Sequence, residues 1–134
     1  MLFRSYPGTG TTWTDLSGNG NNGTLTNGPT FNSSNNGSIV FDGINDYINI
    51  VSNSSLTPTS MSLFCFLYTI NLRSEEVICV ASPSETTNQG WRFLTRAYLG
   101  TQWQFQPSAG NNPITGSVLN NNKWYCLEIG RAHV

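Results

Sequence analysis

No stretch of this chain keeps a helical rhythm of apolar residues for more than about two turns, while short apolar runs recur roughly every 10–15 residues between clusters of Gly, Pro and Asn. Such an interrupted pattern cannot build a long amphipathic helix, but it can build strands. The expected strands are Thr24–Thr26, Ile39–Phe41, Tyr47–Val51, Met61–Ile70, Glu76–Ala81, Trp91–Leu99, Gln102–Gln106, Ile114–Leu119 and Trp124–Leu127. Met61–Ile70 is the longest apolar run and is expected to be a buried strand. Asp42-Gly43 opens a turn, after which Tyr47–Val51 is expected to return as the hairpin partner of Ile39–Phe41. Many short strands punctuated by turn residues imply an all-β, antiparallel β-sandwich.

The densest polar stretch is Trp13-Thr-Asp15-Leu-Ser17-Gly-Asn19-Gly-Asn21-Asn22-Gly-Thr24. Gly18, Gly20 and Gly23 can take positive φ without a steric penalty, and Asn tolerates that region better than other residues with a side chain. A tight loop is therefore expected. It packs oxygen atoms from Asp15, Ser17 and three Asn side chains. Two chemistries suit such a loop: a backbone held by its own hydrogen bonds, or an oxygen cage around a hard cation such as calcium. The series Asp15-x-Ser17-x-Asn19-Gly20 has the alternating ligands of the first half of an EF-hand loop. Its twelfth position is Thr26 where an EF-hand has Glu, and no helices flank it, so an EF-hand is excluded.

Charge excludes other classes. Only 10 % of the 134 residues are charged, and the net charge is −1. With no basic stripe, nucleic acid is a poor partner. No apolar run approaches the roughly 20 residues that span a bilayer, so no membrane insertion is expected. Aromatic residues make up 12 % of the chain, enough for a packed core. Uncharged surfaces rich in Asn, Ser and Thr suit neutral partners such as sugars. Cys65, Cys79 and Cys126 each sit in an apolar run and are expected to be buried, reduced thiols. A Cys65–Cys79 bridge stays open as an alternative, and zinc-type spacing is absent.

Both ends carry foreign signatures. Glu128-Ile-Gly-Arg-Ala-His-Val134 resembles the translation of a common short-read sequencing adapter, and Met1-Leu-Phe-Arg-Ser5 resembles the same adapter read on the opposite strand. Residues 1–5 and 128–134 are therefore expected to be adapter, with 6–127 a domain cut at both ends. That domain keeps Arg73, Arg92, Arg96 and Lys123 against Asp15, Asp42, Asp46, Glu75, Glu76 and Glu85, a net charge of −2. It contains no His, because His133 lies in the tail.

Taken together, the Trp13–Thr24 loop, the run Gly37-Ser-Ile-Val-Phe-Asp42-Gly-Ile-Asn-Asp46-Tyr-Ile48, the strand Leu63–Tyr68 and Lys123-Trp124 resemble the laminin G-like branch of the concanavalin A-like jelly rolls. The resemblance covers nearly all of 6–127. It is strongest to the Asn/Gly/Ser-rich version found in virion and tail-associated proteins of environmental phages. Two departures stand out. The strand near Phe66 lacks the family's usual Trp, and the chain ends in the Trp124 strand, before the closing hairpin. The resemblance thus implies a C-terminally truncated concanavalin A-like jelly roll. It also implies an extracellular or virion-surface setting, with other domains of the same polypeptide as neighbours.

Catalysis is not expected. Jelly-roll glycanases use two carboxylates close together on one strand. Glu75 and Glu76 are adjacent and would face opposite sides, and Asp42 and Asp46 bracket a turn. Without His, Ser–His and Cys–His chemistry is also excluded within 6–127. The family resemblance implies calcium held by ligands from more than one strand, and the candidates are Asp15, Asn19, Asn22 and Asp42. The alternative has Asp15, Asp42 and Asp46 holding their own loops through Asx-type bonds. Trp13 and Trp124 are expected in the core from their family positions, and Trp91 and Phe93 from their shared strand face. Tyr98 and Trp103 are the candidate ligand-binding aromatics. Asn-x-Ser/Thr sequons at Asn22, Asn32, Asn36 and Asn53 follow from the Asn-rich composition. The expected function is non-catalytic recognition of a glycan or cell-surface polysaccharide, or adhesion. The alternatives are a structural virion domain or an accessory domain of a glycoside hydrolase.

Overall fold

The computed structural model describes residues 8–56, 58, 60–72, 77–81, 90–96, 102–107 and 113–133. The chain divides into two compact units, Met1–Leu56 and Thr57–Val134.

The first unit contains β1 (Thr12–Trp13), β2 (Gly23–Thr26), β3 (Thr30–Asn32), β4 (Ser38–Val40) and β5 (Tyr47–Ile50), with single 3-10 turns at Ser34–Asn36 and Ser54–Leu56. β1, β2 and β5 form one sheet in that order, and β3 and β4 pair separately. Leu25 stands opposite Ile48, and Gly23 opposite Ile50. Gly23 is required here by space and not by positive φ. A Cβ at that position would meet Ile48 Cγ2 at 2.7 Å. Gly18 and Gly20 do take positive φ, at 81° and 70°, as the loop demands. Among the described non-glycine residues, positive φ occurs at Asn27, Asn36 and Asn122, outside the Trp13–Thr24 loop.

The expected hairpin between Ile39–Phe41 and Tyr47–Val51 is corrected. β4 pairs with β3, and β5 pairs with β2. The segment Thr30–Asn32, which is not among the expected strands, supplies the strand that β4 needs. The five-residue turn Asp42–Asp46 closes on itself and passes the chain from one sheet to the other.

The second unit contains β6 (Ser60–Thr69), β7 (Val77–Ala81), β8 (Trp91–Arg96), β9 (Gln102–Gln106), β10 (Ile114–Val118) and β11 (Lys123–His133). β10-β9-β8-β7 form a four-stranded sheet, and β11 pairs with β6 as a two-stranded ribbon. Every pairing in both units is antiparallel. The core lies between sheet and ribbon. Trp91, Phe93 and Phe105 come from the sheet, Leu127 and Ile129 from β11, and Leu119 from the segment after β10. Met61, Leu63, Cys65 and Leu67 pack against this cluster from β6. Phe93 and Phe105 are completely buried. Burying such a side chain contributes about 1.5–3 kcal/mol. The unit is thus layered as an all-β sandwich requires.

Alternation along the ribbon is strict. In β6, Leu63, Cys65 and Leu67 turn inward, while Phe64, Phe66 and Tyr68 turn outward. Met61–Ile70, expected as a buried strand, is thus a strand with one buried face. β11 follows the same phase, with Leu127 and Ile129 buried and Trp124 and Cys126 exposed. β11 also runs past Leu127 to pair His133 with Ser60. The ladder is made by backbone groups, which any sequence supplies. Ile129 falls on the inward phase, so the segment assigned to adapter continues the strand.

Candidate functional site

The Asp15 loop is tied by its own groups. Asp15 is 6 % exposed. Its Oδ1 accepts the Ser17 N–H at 3.0 Å, and its Oδ2 accepts the Ser17 hydroxyl at 2.8 Å and the Asn21 N–H at 3.0 Å. Asn22 Oδ1 accepts the Asp15 N–H at 2.9 Å. Asn19 joins at one remove, its side-chain amide donating to Ser17 Oγ at 3.1 Å. The buried Asn21 side chain donates to Ser55 Oγ at 2.9 Å, fastening the loop to the turn after β5. Asn21 is a structural residue that sequence reasoning passed over. Its signal, a partner 34 positions away, cannot be read locally.

Asp42 sits elsewhere. Its Oδ1 accepts the Ile44 N–H at 2.8 Å and the Asn45 N–H at 3.3 Å, while Asp46 Oδ2 accepts the Asp42 N–H at 3.0 Å. The Ile44 N–H, with smaller help from other turn amides, holds the Asp42 carboxyl below its ordinary value. The Asp15 loop leads into Gly23, which pairs with Ile50. The Asp42 turn leads into Tyr47, which pairs with Thr26. The two loops therefore stand at opposite ends of the β2–β5 ladder, separated by about 10 Å of strand. Of the four candidate calcium ligands, the fold gathers Asp15, Asn19 and Asn22 and leaves Asp42 apart. Among the described residues no three His, Cys, Asp or Glu side chains cluster in a way that could hold a metal.

Of the two candidate ligand-binding aromatics, Tyr98 lies outside the described residues. Trp103, in β9, is half-buried and packs against the core cluster. Its ring meets Phe93 edge-on at 5.6 Å between centroids. It also fills the space above Gly116, where an added Cβ would overlap the Trp103 indole.

The exposed aromatics are others. On the outer face of the ribbon, Phe64 is 59 % exposed, Phe66 68 %, Tyr68 43 % and Trp124 48 %. The expected core position of Trp124 is corrected. Trp124 stands opposite Tyr68 in register, so it shares the outward face. Phe64 and Phe66 meet edge-to-face at 5.2 Å, and Tyr68 and Trp124 lie at 5.3 Å with a 44° tilt. No local signal marks this face, because residues 63–68 are apolar at both phases and the outward phase emerges only in the folded ribbon. Cys126 shares the face, opposite Phe66, and is exposed, contrary to the expected buried thiol. Cys65 and Cys79 are half-buried and unbridged, and burial pushes their thiols up to about 11 and about 12.

No family model, no curated protein and no solved structure matches this chain.

Proposed function

We propose that the chain is a non-catalytic recognition module, binding a glycan or cell-surface polysaccharide within a larger secreted or virion protein. The observation that carries this reading is the outward aromatic face of β6 and β11. Four rings of roughly 200 Å² each, about half exposed, present on the order of 440 Å² of apolar surface. A patch of that size matches the largest apolar patch of a typical monomer, which is often functional. A sugar offers what such a face can hold: C–H groups that pack on rings, and hydroxyls that stay in water.

The kinship with laminin G-like jelly rolls and the extracellular or virion-surface setting belong to the same proposal. They rest on the Trp13–Thr24 and Gly37–Ile48 motifs. Calcium is not given a step in it, because the bonding around Asp15 supports a loop held by its own groups.

The test is a panel of polysaccharides titrated against the 134-residue chain, with binding read by calorimetry. Binding that disappears in Trp124→Gln is the expected result. A folded chain that binds no member of the panel would favour the structural-domain alternative.

A further inference from the structure

We infer that Asn19 is a site of spontaneous covalent modification, at which the folded chain turns an amide into aspartate or isoaspartate ahead of its other Asn-Gly pairs.

Four such pairs occur, Asn19-Gly20, Asn22-Gly23, Asn27-Gly28 and Asn36-Gly37. Glycine makes each pair reactive, because no Cβ shields its backbone nitrogen. The step needs only water. Hydroxide removes the glycine amide proton, and the nitrogen attacks the Asn side-chain carbonyl carbon. A C–N bond to the backbone forms, the C–N bond to the side-chain nitrogen breaks, and ammonia leaves with a proton from water. Water then opens the five-membered imide. Attack at the side-chain carbonyl gives aspartate, and attack at the main-chain carbonyl gives isoaspartate. One water is consumed and one ammonia released, with no oxidation or reduction.

By sequence the four pairs are equivalent, and the fold separates them. Asn22 is held through Oδ1, which accepts the Asp15 N–H at 2.9 Å. Its neighbour Gly23 is buried between Trp13 and Ile50 in the three-stranded sheet. Asn27 is held by its side-chain amide, which donates to the Asn45 carbonyl at 2.8 Å. At Asn36 the attacking nitrogen is engaged, since the Gly37 N–H donates to the Ser34 carbonyl at 3.0 Å. Asn19 and Gly20 are both exposed, and the space that a Cβ on Gly20 would occupy is open. Among the described residues no hydrogen bond engages the Gly20 N–H. The Asn19 side-chain amide reaches only Ser17 Oγ, at 3.1 Å, within the same exposed turn.

The product acts on Ser17. That hydroxyl donates to Asp15 Oδ2 and accepts from the Asn19 amide. A carboxylate at position 19 offers no donor in return and adds a negative charge to the Asp15 loop.

The experiment incubates the 134-residue chain at pH 8, native and in concentrated urea, and follows the exchange of NH₂ for OH by mass in chymotryptic peptides, with fragment ions assigning each Asn. In urea the four sites should react at similar rates. In the native chain Asn19 should stay close to its urea rate. Asn22, Asn27 and Asn36 should fall behind it by roughly fivefold or more, the factor that one hydrogen bond of ordinary strength supplies. Asn19→Gln should remove the early native event, because its ring would have to close at six members. Native chain isolated after that event should show quicker hydrogen exchange at the Ser17 amide and unchanged exchange in β8 and β9. Equal native rates at all four pairs, or a native lead at Asn22, Asn27 or Asn36, would overturn the inference. An Asn19 slowed by folding as much as the other three would overturn it as well.

Discussion

In Met1–Leu56, Leu25 is the one large apolar side chain buried among the described residues, and the polar side chains Asp15 and Asn21 are buried with it. In Thr57–Val134 the buried set is led by Trp91, Phe93, Phe105, Leu127 and Ile129. The two units therefore answer the same problem differently. The first orders its backbone with short-range, directional bonds from Asp, Asn and Ser to loop amides. The second removes aromatic and aliphatic surface from water. Hydrogen bonds contribute about 1 kcal/mol net each and act where they are made. Apolar burial is non-directional and couples every residue of the cluster. The first unit should thus fail loop by loop, and the second all at once.

Phe93→Ala should break the comparison hardest. It removes a fully buried ring that meets Trp103, and the loss should be about 3–5 kcal/mol. Urea denaturation followed by tryptophan emission would read it, and a cost below about 1 kcal/mol would show that the sheet–ribbon core does not hold the second unit.

Asp15→Ala comes next. It strips the acceptor from two amides and one hydroxyl, two of the donors at Ser17 and one at the buried Asn21. Leaving a buried donor unpaired costs about 1–3 kcal/mol. Hydrogen exchange should quicken at Ser17 and Asn21 and stay unchanged in β8 and β9. Millimolar calcium should leave the wild-type exchange pattern alone. Calcium-dependent protection at these two amides would restore the cation cage, with Asp15, Asn19 and Asn22 as its local ligands and Asp42 excluded.

The same contrast explains what was legible in the sequence. Strand positions were readable because the signal, apolar runs between turn residues, is local. Gln102–Gln106 was expected and is β9 to the residue. Partners were less readable. Nothing near Ile39–Val40 says that it pairs with Thr30–Asn32 and not with Tyr47–Ile50, because Asp42-Gly43 is equally a hairpin turn and a crossing turn. The face of Trp124 was missed for a related reason. Its direction is set by register with Tyr68, 56 positions earlier, and a one-residue slip would have turned it inward. The Asp15 loop was half readable. Its oxygen-rich composition was plain, but whether those oxygens face a cation or their own backbone is a matter of geometry.

Thiol chemistry sharpens the comparison within the second unit, between its two faces. Cys65 and Cys79 pack against the core, and burial raises their thiols from 9.0 to about 11 and about 12. Cys126 lies on the solvent side of the same ribbon. Iodoacetamide at pH 8 should therefore modify one thiol quickly in the folded chain and all three after unfolding. Fast labelling of all three in the native state would show that the ribbon does not stay closed on the sheet. The sign for stability follows from the raised values. The two neutral thiols favour the fold fully below about pH 9, and that contribution is lost as pH rises toward 12.

The smallest expected effect returns to the first unit. Asp42 is exposed, and its carboxylate is stabilised mainly by the Ile44 amide, so its folded value lies below the ordinary 3.8. A depressed carboxyl favours the folded turn above the unfolded value, and the contribution disappears as pH falls through the folded one. Between neutral pH and pH 5 the turn should hold. Below about pH 4 the Ile44 and Asn45 amide resonances should shift together and their exchange should quicken, while the Asp15 loop amides follow a separate curve. Asp42→Asn should remove this acid transition at Ile44 and leave the midpoint of unfolding at neutral pH almost unchanged, because solvent screens an exposed group. A single curve shared by both loops would show that the turn and the Asp15 loop are one cooperative unit. The picture of a region ordered loop by loop would then give way to one in which β2 and β5 couple its two ends.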